Sequence, residues 1–378
     1  FDFSLDWLLR NVNAVVTGRA EFSALAGVPT EDFQEGLSRA ERAIDKALNL
    51  IGARLGLDHD RVLGGRGAIP LITRFLSDRD FKLRDSREID ALLNWYVHTF
   101  LWGRYAGSTE TVLNRDLEAI RDSEDPASSL IAVLEQWRGD LTVRANDFSG
   151  WSVGARFYPM LYLLTRVEHA RDWGNGLELQ DQLLGAQAAL ELHHVFPKAR
   201  LYEAGYPRPL VNALANFTFL TKETNLEVSD GDPAEYIPRY EARHPGSVAS
   251  HWIPEEPELW RVESFTRFLE ARRQLLADAA NDFLQSLREG RAEPVGASEE
   301  LAAPGRVEPV GMRDEESETL EEINRWISSL GLAAGERNYE LIDQDTREVE
   351  AILDLAWADG MQPGLSPRVA LLLDEPSD

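Results

Sequence analysis

The 378-residue sequence predicts a mainly α-helical protein that contains a short two-stranded element and ends in a small α/β module. Three observations predict this class. Apolar residues keep helical spacing through most of the first 175 residues. Two short β-type runs lie at 188–197 and 216–221 and are separated by proline-containing turns. Three short apolar runs near the C-terminus follow a stretch rich in glycine, proline and acidic residues.

The N-terminal part contains the clearest helical patterns. A helix is expected over 31–55, with Thr30 as its N-cap and Gly56 as its stop. Another is expected over 151–171. The strongest stripe follows Asp85 and has apolar residues at i, i+3, i+4, i+7, i+8, i+11 and i+12: Ile89, Leu92, Leu93, Tyr96, Val97, Phe100 and Leu101.

The middle of the chain changes character at about residue 187. The run 188–197 predicts a short strand that ends in a turn, and Asn216–Thr221 predicts a second strand. A short helix should follow from Thr221 and end near Ser229–Pro233. A long helix is expected over 257–289, and further apolar runs at 339–342, 351–357 and 369–373 predict strands of the last module.

These patterns divide the chain into five predicted parts. They are a helical domain (1–176), a ββα core (177–250), a long helix packing on that core (251–290), an acidic linker (291–318) and the small α/β module (319–378). The chain begins with Phe1 rather than methionine. We therefore expect it to be a fragment of a longer protein.

Composition excludes several classes of protein. The sequence has no cysteine, which excludes disulfides, thiolate metal sites and cysteine nucleophiles. No apolar run approaches the roughly 18–20 residues of a membrane helix, and no signal peptide opens the chain, so a cytoplasmic protein without membrane contact is expected. The net charge of −26 argues against strong non-specific nucleic-acid binding. Residues 251–378 contribute 29 acidic and 12 basic side chains to this balance.

The stretch from Glu191 to Pro197, with Asn216 and Asn225, contains the residue types that phosphodiester hydrolysis requires. A neutral imidazole can take a proton from water near pH 7, and a divalent metal can offset charge on the phosphate. His193 and His194 at a strand end before a proline can surround one site, one as metal ligand and the other as base. An asparagine oxygen from a following helix would complete the protein ligands, which is the ββα-metal arrangement.

The segment His193-His194-Val195-Phe196-Pro197, followed by Asn216-Phe217-Thr218-Phe219-Leu220 and Asn225, resembles the HNH nuclease motif. More narrowly, it looks like the C-terminal HNH domain (DUF1524) of GmrSD-type restriction proteins. The resemblance extends over about residues 55–290 and is most specific over 165–290, where Asp172-Trp173 and Asp232–Tyr236 also look like that family.

The resemblance implies that His194 is the general base and His193 a metal ligand, in a position that an aspartate often occupies. It implies Asn225 as the second ligand and Asn216 as the residue that orients the loop and the base. The roles of the two histidines could be exchanged. One divalent metal is implied; Mg²⁺ or Mn²⁺ is favoured, and Ni²⁺ or Zn²⁺ remains an alternative because imidazole suits these ions.

The local charge beside the motif and the resemblance to restriction proteins predict the partners of this chain and its alternative functions. Four cations flank the motif and predict a local contact with double-stranded DNA: Lys198, Arg200, Arg208 and Lys222. The resemblance implies a bacterial anti-phage restriction protein that nicks DNA, whose relatives begin with a DUF262-type sensor domain without counterpart in this sequence. Oligomeric state stays open. The alternative is a non-catalytic helical binding or scaffold module with a remnant HNH fold, which the negative net charge favours. A third class, a bacteriocin-like toxin nuclease, would be basic, so the same negative charge disfavours it.

Overall fold

The computed structural model describes residues 1, 3–60, 62–106, 109–179, 190–292, 315–342, 349–362 and 365–372. Over these residues the protein is mainly helical, as predicted from the sequence. None of the helices described is long and apolar enough to cross a membrane. The first part of the chain contains seven α-helices within the described residues: α1 (Leu5–Thr17), α2 (Thr30–Leu55), α3 (Ile69–Asp78), α4 (Ser86–Leu101), α5 (Thr109–Ile120), α6 (Pro126–Arg138) and α7 (Tyr158–Val167).

Two of the predicted helix boundaries in this part are confirmed. Gly56 ends α2 with a left-handed backbone, and the Asp85 carboxylate accepts the Glu88 N–H at the start of α4. The prediction of Thr30 as an N-cap is wrong, because Thr30 already lies within α2 and Pro29 precedes it. The helix predicted over 151–171 is also shorter. Trp151 instead pairs with Ala213 in an isolated β-bridge.

Two strands and several short helices follow. They are β1 (Leu190–His194), α8 (Lys198–Glu203), α9 (Arg208–Val211), β2 (Phe217–Thr221), α10 (Lys222–Val228), α11 (Pro233–Arg243) and the long α12 (Phe265–Arg288). The predicted start of the long helix at residue 257 is wrong. Pro257–Trp260 and Val262–Ser264 are short 3₁₀ turns separated by the extended backbone of Arg261, so the α-helix begins only at Phe265.

Helix α12 connects two apolar cores. Phe265, Phe268 and Leu269 pack with Phe196 and Trp173 beside the strands. Farther along, the helix contributes side chains to the large core of the N-terminal helices: Leu276, Ala277, Ala280, Phe283, Leu284 and Leu287. Since β1 and β2 also bury residues in that large core, the two-stranded sheet is held between the N-terminal helices and the core beside the strands.

The C-terminal residues form an α/β element, as predicted. Helix α13 (Glu315–Ser329) precedes the antiparallel strands β3 (Glu336–Ile342), β4 (Val349–Trp357) and β5 (Val369–Leu371), in the sheet order β3-β4-β5. Leu320, Ile327, Leu355 and Trp357 form its core. Most of the predicted linker over 291–318, and Leu373 at the end of the last predicted strand, lie outside the described residues.

Candidate active site

The two strands and the helix after them form the frame of the site. β1 and β2 are antiparallel, with His193 opposite Thr218 and His194 opposite Phe217. Helix α10 begins directly after β2, and Thr221 accepts the Thr224 N–H at its start. This order of strand, strand and helix brings Asn225 on α10 beside the end of β1.

His193 and Asn225 face each other across this frame. His193 Nδ1 lies 2.8 Å from Asn225 Oδ1. His193 is buried, and burial lowers the pKa of its imidazole to about 4, so the ring is neutral near pH 7. The Asn225 oxygen only accepts, so Nδ1 carries the proton in this hydrogen bond. Nε2 has no hydrogen-bond partner within the described part of the chain, so a cation that replaced the Nδ1 proton would leave the proton on Nε2 without breaking a contact there.

The pair fits two ligands of one divalent cation. Adjacent ligand atoms of an octahedral ion with bonds of about 2.1 Å lie about 3.0 Å apart, close to the observed separation. A neutral imidazole and an amide oxygen are both metal-ligating groups. No cluster of three or more histidine, aspartate or glutamate side chains suited to a metal occurs among the described residues, so such an ion would need water or phosphate as its remaining ligands.

His194 has a different environment from its neighbour. Its Nε2 lies 3.2 Å from Oδ1 of Asn212, which is an arrangement for an Nε2–H donor. Burial, followed by the nearby Lys198 cation, lowers the pKa of the imidazole to about 3, and the Asn212 hydrogen bond opposes this shift. Nδ1 is therefore the nitrogen with the lone pair. Nδ1 has no hydrogen-bond partner among the described residues, and His194 as a whole is half-buried, whereas His193 is buried.

Asn216 is fully buried and holds the connection between the strands. Its Oδ1 accepts the Phe196 N–H at 2.8 Å, and its Nδ2 donates to the carbonyls of Phe196 and Val211 at 3.1 and 2.9 Å. Every one of these hydrogen bonds is with the backbone. Asn216 thus joins the segment after His194 to the segment just before Asn212, and it affects His194 through the backbone rather than by contact.

Asp172 connects the site to the end of the helical region. Its buried carboxylate accepts hydrogen bonds from the N–H groups of Gly174 and Asn175 on one side and from the Thr221 N–H and hydroxyl on the other. It also accepts from the Thr224 hydroxyl. The carboxylate therefore anchors both the end of β2 and the first turn of α10, the helix that positions Asn225.

The four predicted DNA-contacting cations lie in unlike surroundings. Lys222 is exposed, and Lys198 is half-buried near His194. Arg200 donates to the Asp230 carbonyl and lies 3.5 Å from the Asp232 carboxylate. Arg208 is largely buried and lies 3.6 Å from the carboxylate of Asp354, which belongs to β4 of the C-terminal α/β element. The sequence indicated none of these acidic partners.

Sequence reasoning missed two polar residues of the site. Asn212, the partner of His194, comes from the segment after α9, and no pattern in the sequence connects it to His194. Glu191 accepts a hydrogen bond of 2.8 Å from Asn225 Nδ2. It precedes His193 by two residues on β1, so the alternation of strand residues was a usable signal for its position.

The comparisons with known proteins assign no activity. No family model matches the chain. A stretch of 169 residues is 25% identical to the uncharacterized protein MJ0686 of Methanocaldococcus jannaschii, covering 44% of this chain and 28% of the relative. The match therefore spans less than a third of that relative's length.

Proposed function

We propose that this chain is a metal-dependent endonuclease of the HNH type that hydrolyses phosphodiester bonds in double-stranded DNA. The observation that carries the proposal is the pair of consecutive histidines in complementary states. His193 faces the Asn225 oxygen, and the next residue, His194, is hydrogen-bonded through Nε2 to Asn212, which leaves its Nδ1 unprotonated. A nuclease of this type needs one metal-ligating group and one base at the same site.

The residues supply the proton chemistry of hydrolysis. His194 Nδ1 accepts a proton from water as the water oxygen bonds to phosphorus, and the bond from phosphorus to the leaving oxygen breaks, with solvent returning a proton to that oxygen. Asn212 keeps Nε2 protonated, so Nδ1 is the nitrogen that reacts. Lys198 places a positive charge near His194 that would attract a phosphate; the same charge lowers the pKa of the imidazole, so a phosphate that neutralised it would make His194 a stronger base. A divalent ion held by His193 and Asn225 would offset negative charge on the phosphate and the leaving oxygen.

The resemblance to restriction proteins also supports a proposal for the cellular role of the chain. We infer an effector part of a bacterial anti-phage protein, with a DUF262-type partner domain that licenses cleavage. A single HNH unit contains one hydrolytic centre, which favours nicking of one strand. The preferred ions are Mg²⁺ and Mn²⁺, with Ni²⁺ and Zn²⁺ as alternatives.

A second candidate is a binding or scaffold module with a remnant HNH fold. The net charge of −26 and the carboxylates beside Arg200 and Arg208 favour it, because both features weaken contact with phosphate. Such a module would bind metal through His193 and Asn225 and leave DNA intact.

Plasmid nicking separates the two candidates. Supercoiled DNA is incubated with the chain in Mg²⁺, Mn²⁺, Ni²⁺ or EDTA, and His194→Ala is compared with His169→Ala, which alters an exposed histidine outside the site. We expect metal-dependent nicking that His194→Ala lowers by about 10²–10⁴-fold and His169→Ala leaves unchanged. A folded chain that binds Mn²⁺ but never nicks DNA, also with the partner domain present, would favour the scaffold.

A further inference from the structure

Glu191 lies on the same face of β1 as His193. The two residues are separated by one position, and alternate residues of a strand point to the same side of the sheet. Glu191 is half-buried, and its Oε2 accepts a hydrogen bond of 2.8 Å from Asn225 Nδ2. The opposite end of the same amide, Oδ1, lies 2.8 Å from His193 Nδ1.

This contact determines which end of the amide faces His193. An ionised carboxylate only accepts hydrogen bonds, so it binds the N–H₂ end of Asn225 and disfavours the oxygen end. We infer that Glu191 is a positioning residue that keeps the Asn225 oxygen directed at His193. The inference rests on the proposed function for its metal-binding consequence, whereas the orientation itself can be tested without metal.

Glutamine at position 191 would remove this selectivity. A glutamine side chain both donates and accepts, so it can bind either end of the Asn225 amide. In half of those arrangements Nδ2 would face His193, and an N–H₂ group cannot bind a cation. Aspartate at position 225 would remove the need for selection, because it presents an oxygen to His193 in either orientation. Its other oxygen would face the Glu191 carboxylate, so in this background the N–H₂ of a glutamine at position 191 would donate to that oxygen and replace a repulsive contact. The two substitutions should therefore be strongly coupled.

The first test is a double-mutant cycle of Mn²⁺ affinity, measured by calorimetry on the full chain without DNA. Glu191→Gln is made in the wild-type background and in Asn225→Asp, and Glu223→Gln, an exposed acid on α10, is the matched control. We expect Glu191→Gln to weaken Mn²⁺ binding by about 10–100-fold in the wild type, as for other groups that orient metal ligands. In Asn225→Asp the same substitution should not weaken Mn²⁺ binding, because the glutamine N–H₂ can donate to the aspartate, and the control should change nothing. An equal loss in both backgrounds would overturn the inference, since Glu191 would then act as a ligand itself.

The second test follows the Asn225 side-chain amide by NMR in the metal-free chain, with its signal identified by its disappearance in Asn225→Asp. We expect Glu191→Gln to shift or split this signal and Glu223→Gln to leave it in place. An Asn225 signal unaffected by Glu191→Gln would overturn the positioning role. If the wild type binds no Mn²⁺ while the amide responds as expected, the metal site of the proposed function fails and the positioning role stands.

Discussion

The buried carboxylate of Asp172 should be a main determinant of stability around the site. It accepts five hydrogen bonds: from two backbone N–H groups of the following turn, from the N–H and hydroxyl of Thr221, and from the hydroxyl of Thr224. Asp172→Asn preserves the shape but replaces one acceptor oxygen with an N–H₂ donor. At least one buried backbone N–H then faces another donor, which costs about 1–3 kcal/mol. The other bonds lose the extra strength of a charged acceptor.

These effects together should lower the free energy of unfolding by about 3 kcal/mol or more. Urea unfolding followed by circular dichroism measures this, with Asp230→Asn as the control because Asp230 is exposed. The control should change stability by less than about 0.5 kcal/mol. A loss below about 1 kcal/mol in Asp172→Asn would refute the reasoning that this carboxylate anchors β2 and α10.

Three further results are expected. Asn212→Ala should lower kcat for plasmid nicking by about 10–100-fold with little change in KM, because the His194 ring loses the partner that holds its Nε2–H. Burial lowers the pKa of His98 to about 4, so the folded protein binds a proton there less readily than the unfolded chain does. His98 therefore costs no stability above about pH 6.5, and urea titrations should show a loss of about 3 kcal/mol from this residue as the pH falls from 6.5 to 4. Asp354→Asn should remove the negative charge beside Arg208, tighten DNA binding and steepen its dependence on salt by about one phosphate contact in filter-binding assays.

Two of these results have a further variant that checks them. His98→Asn retains an acceptor for the indole N–H of Trp102 and should remove about 3 kcal/mol from the loss of stability between pH 7 and pH 4. An unchanged pH profile would contradict the assignment. Asp359→Asn alters an exposed acid in the same C-terminal element and should leave DNA affinity within about twofold. If Asp359→Asn strengthens binding as much as Asp354→Asn does, general charge rather than the Arg208 contact is responsible.

The sequence by itself determined the helical class and the two short strands. Local patterns suffice for this, because the spacing of apolar residues defines which face of a helix or strand is buried. These local patterns predicted the wrong helix start where a tertiary contact or an extended residue opposed the helical preference of the segment. Trp151 pairs with Ala213 rather than starting a helix, and the extended backbone of Arg261 delays the start of α12.

The residue types of the candidate site were also visible in the sequence, since His193, His194, Asn216 and Asn225 stand in a recognisable order. Which atoms meet was decided only by the tertiary structure. The hydrogen bond of Asn212 to His194, the orientation of Asn225 by Glu191 and the burial of Arg208 against Asp354 depend on segments that are distant in the chain or on different elements. Hydrogen bonds and ion pairs act over about 3–4 Å, so they depend on how the elements pack, and residue order alone does not specify that packing.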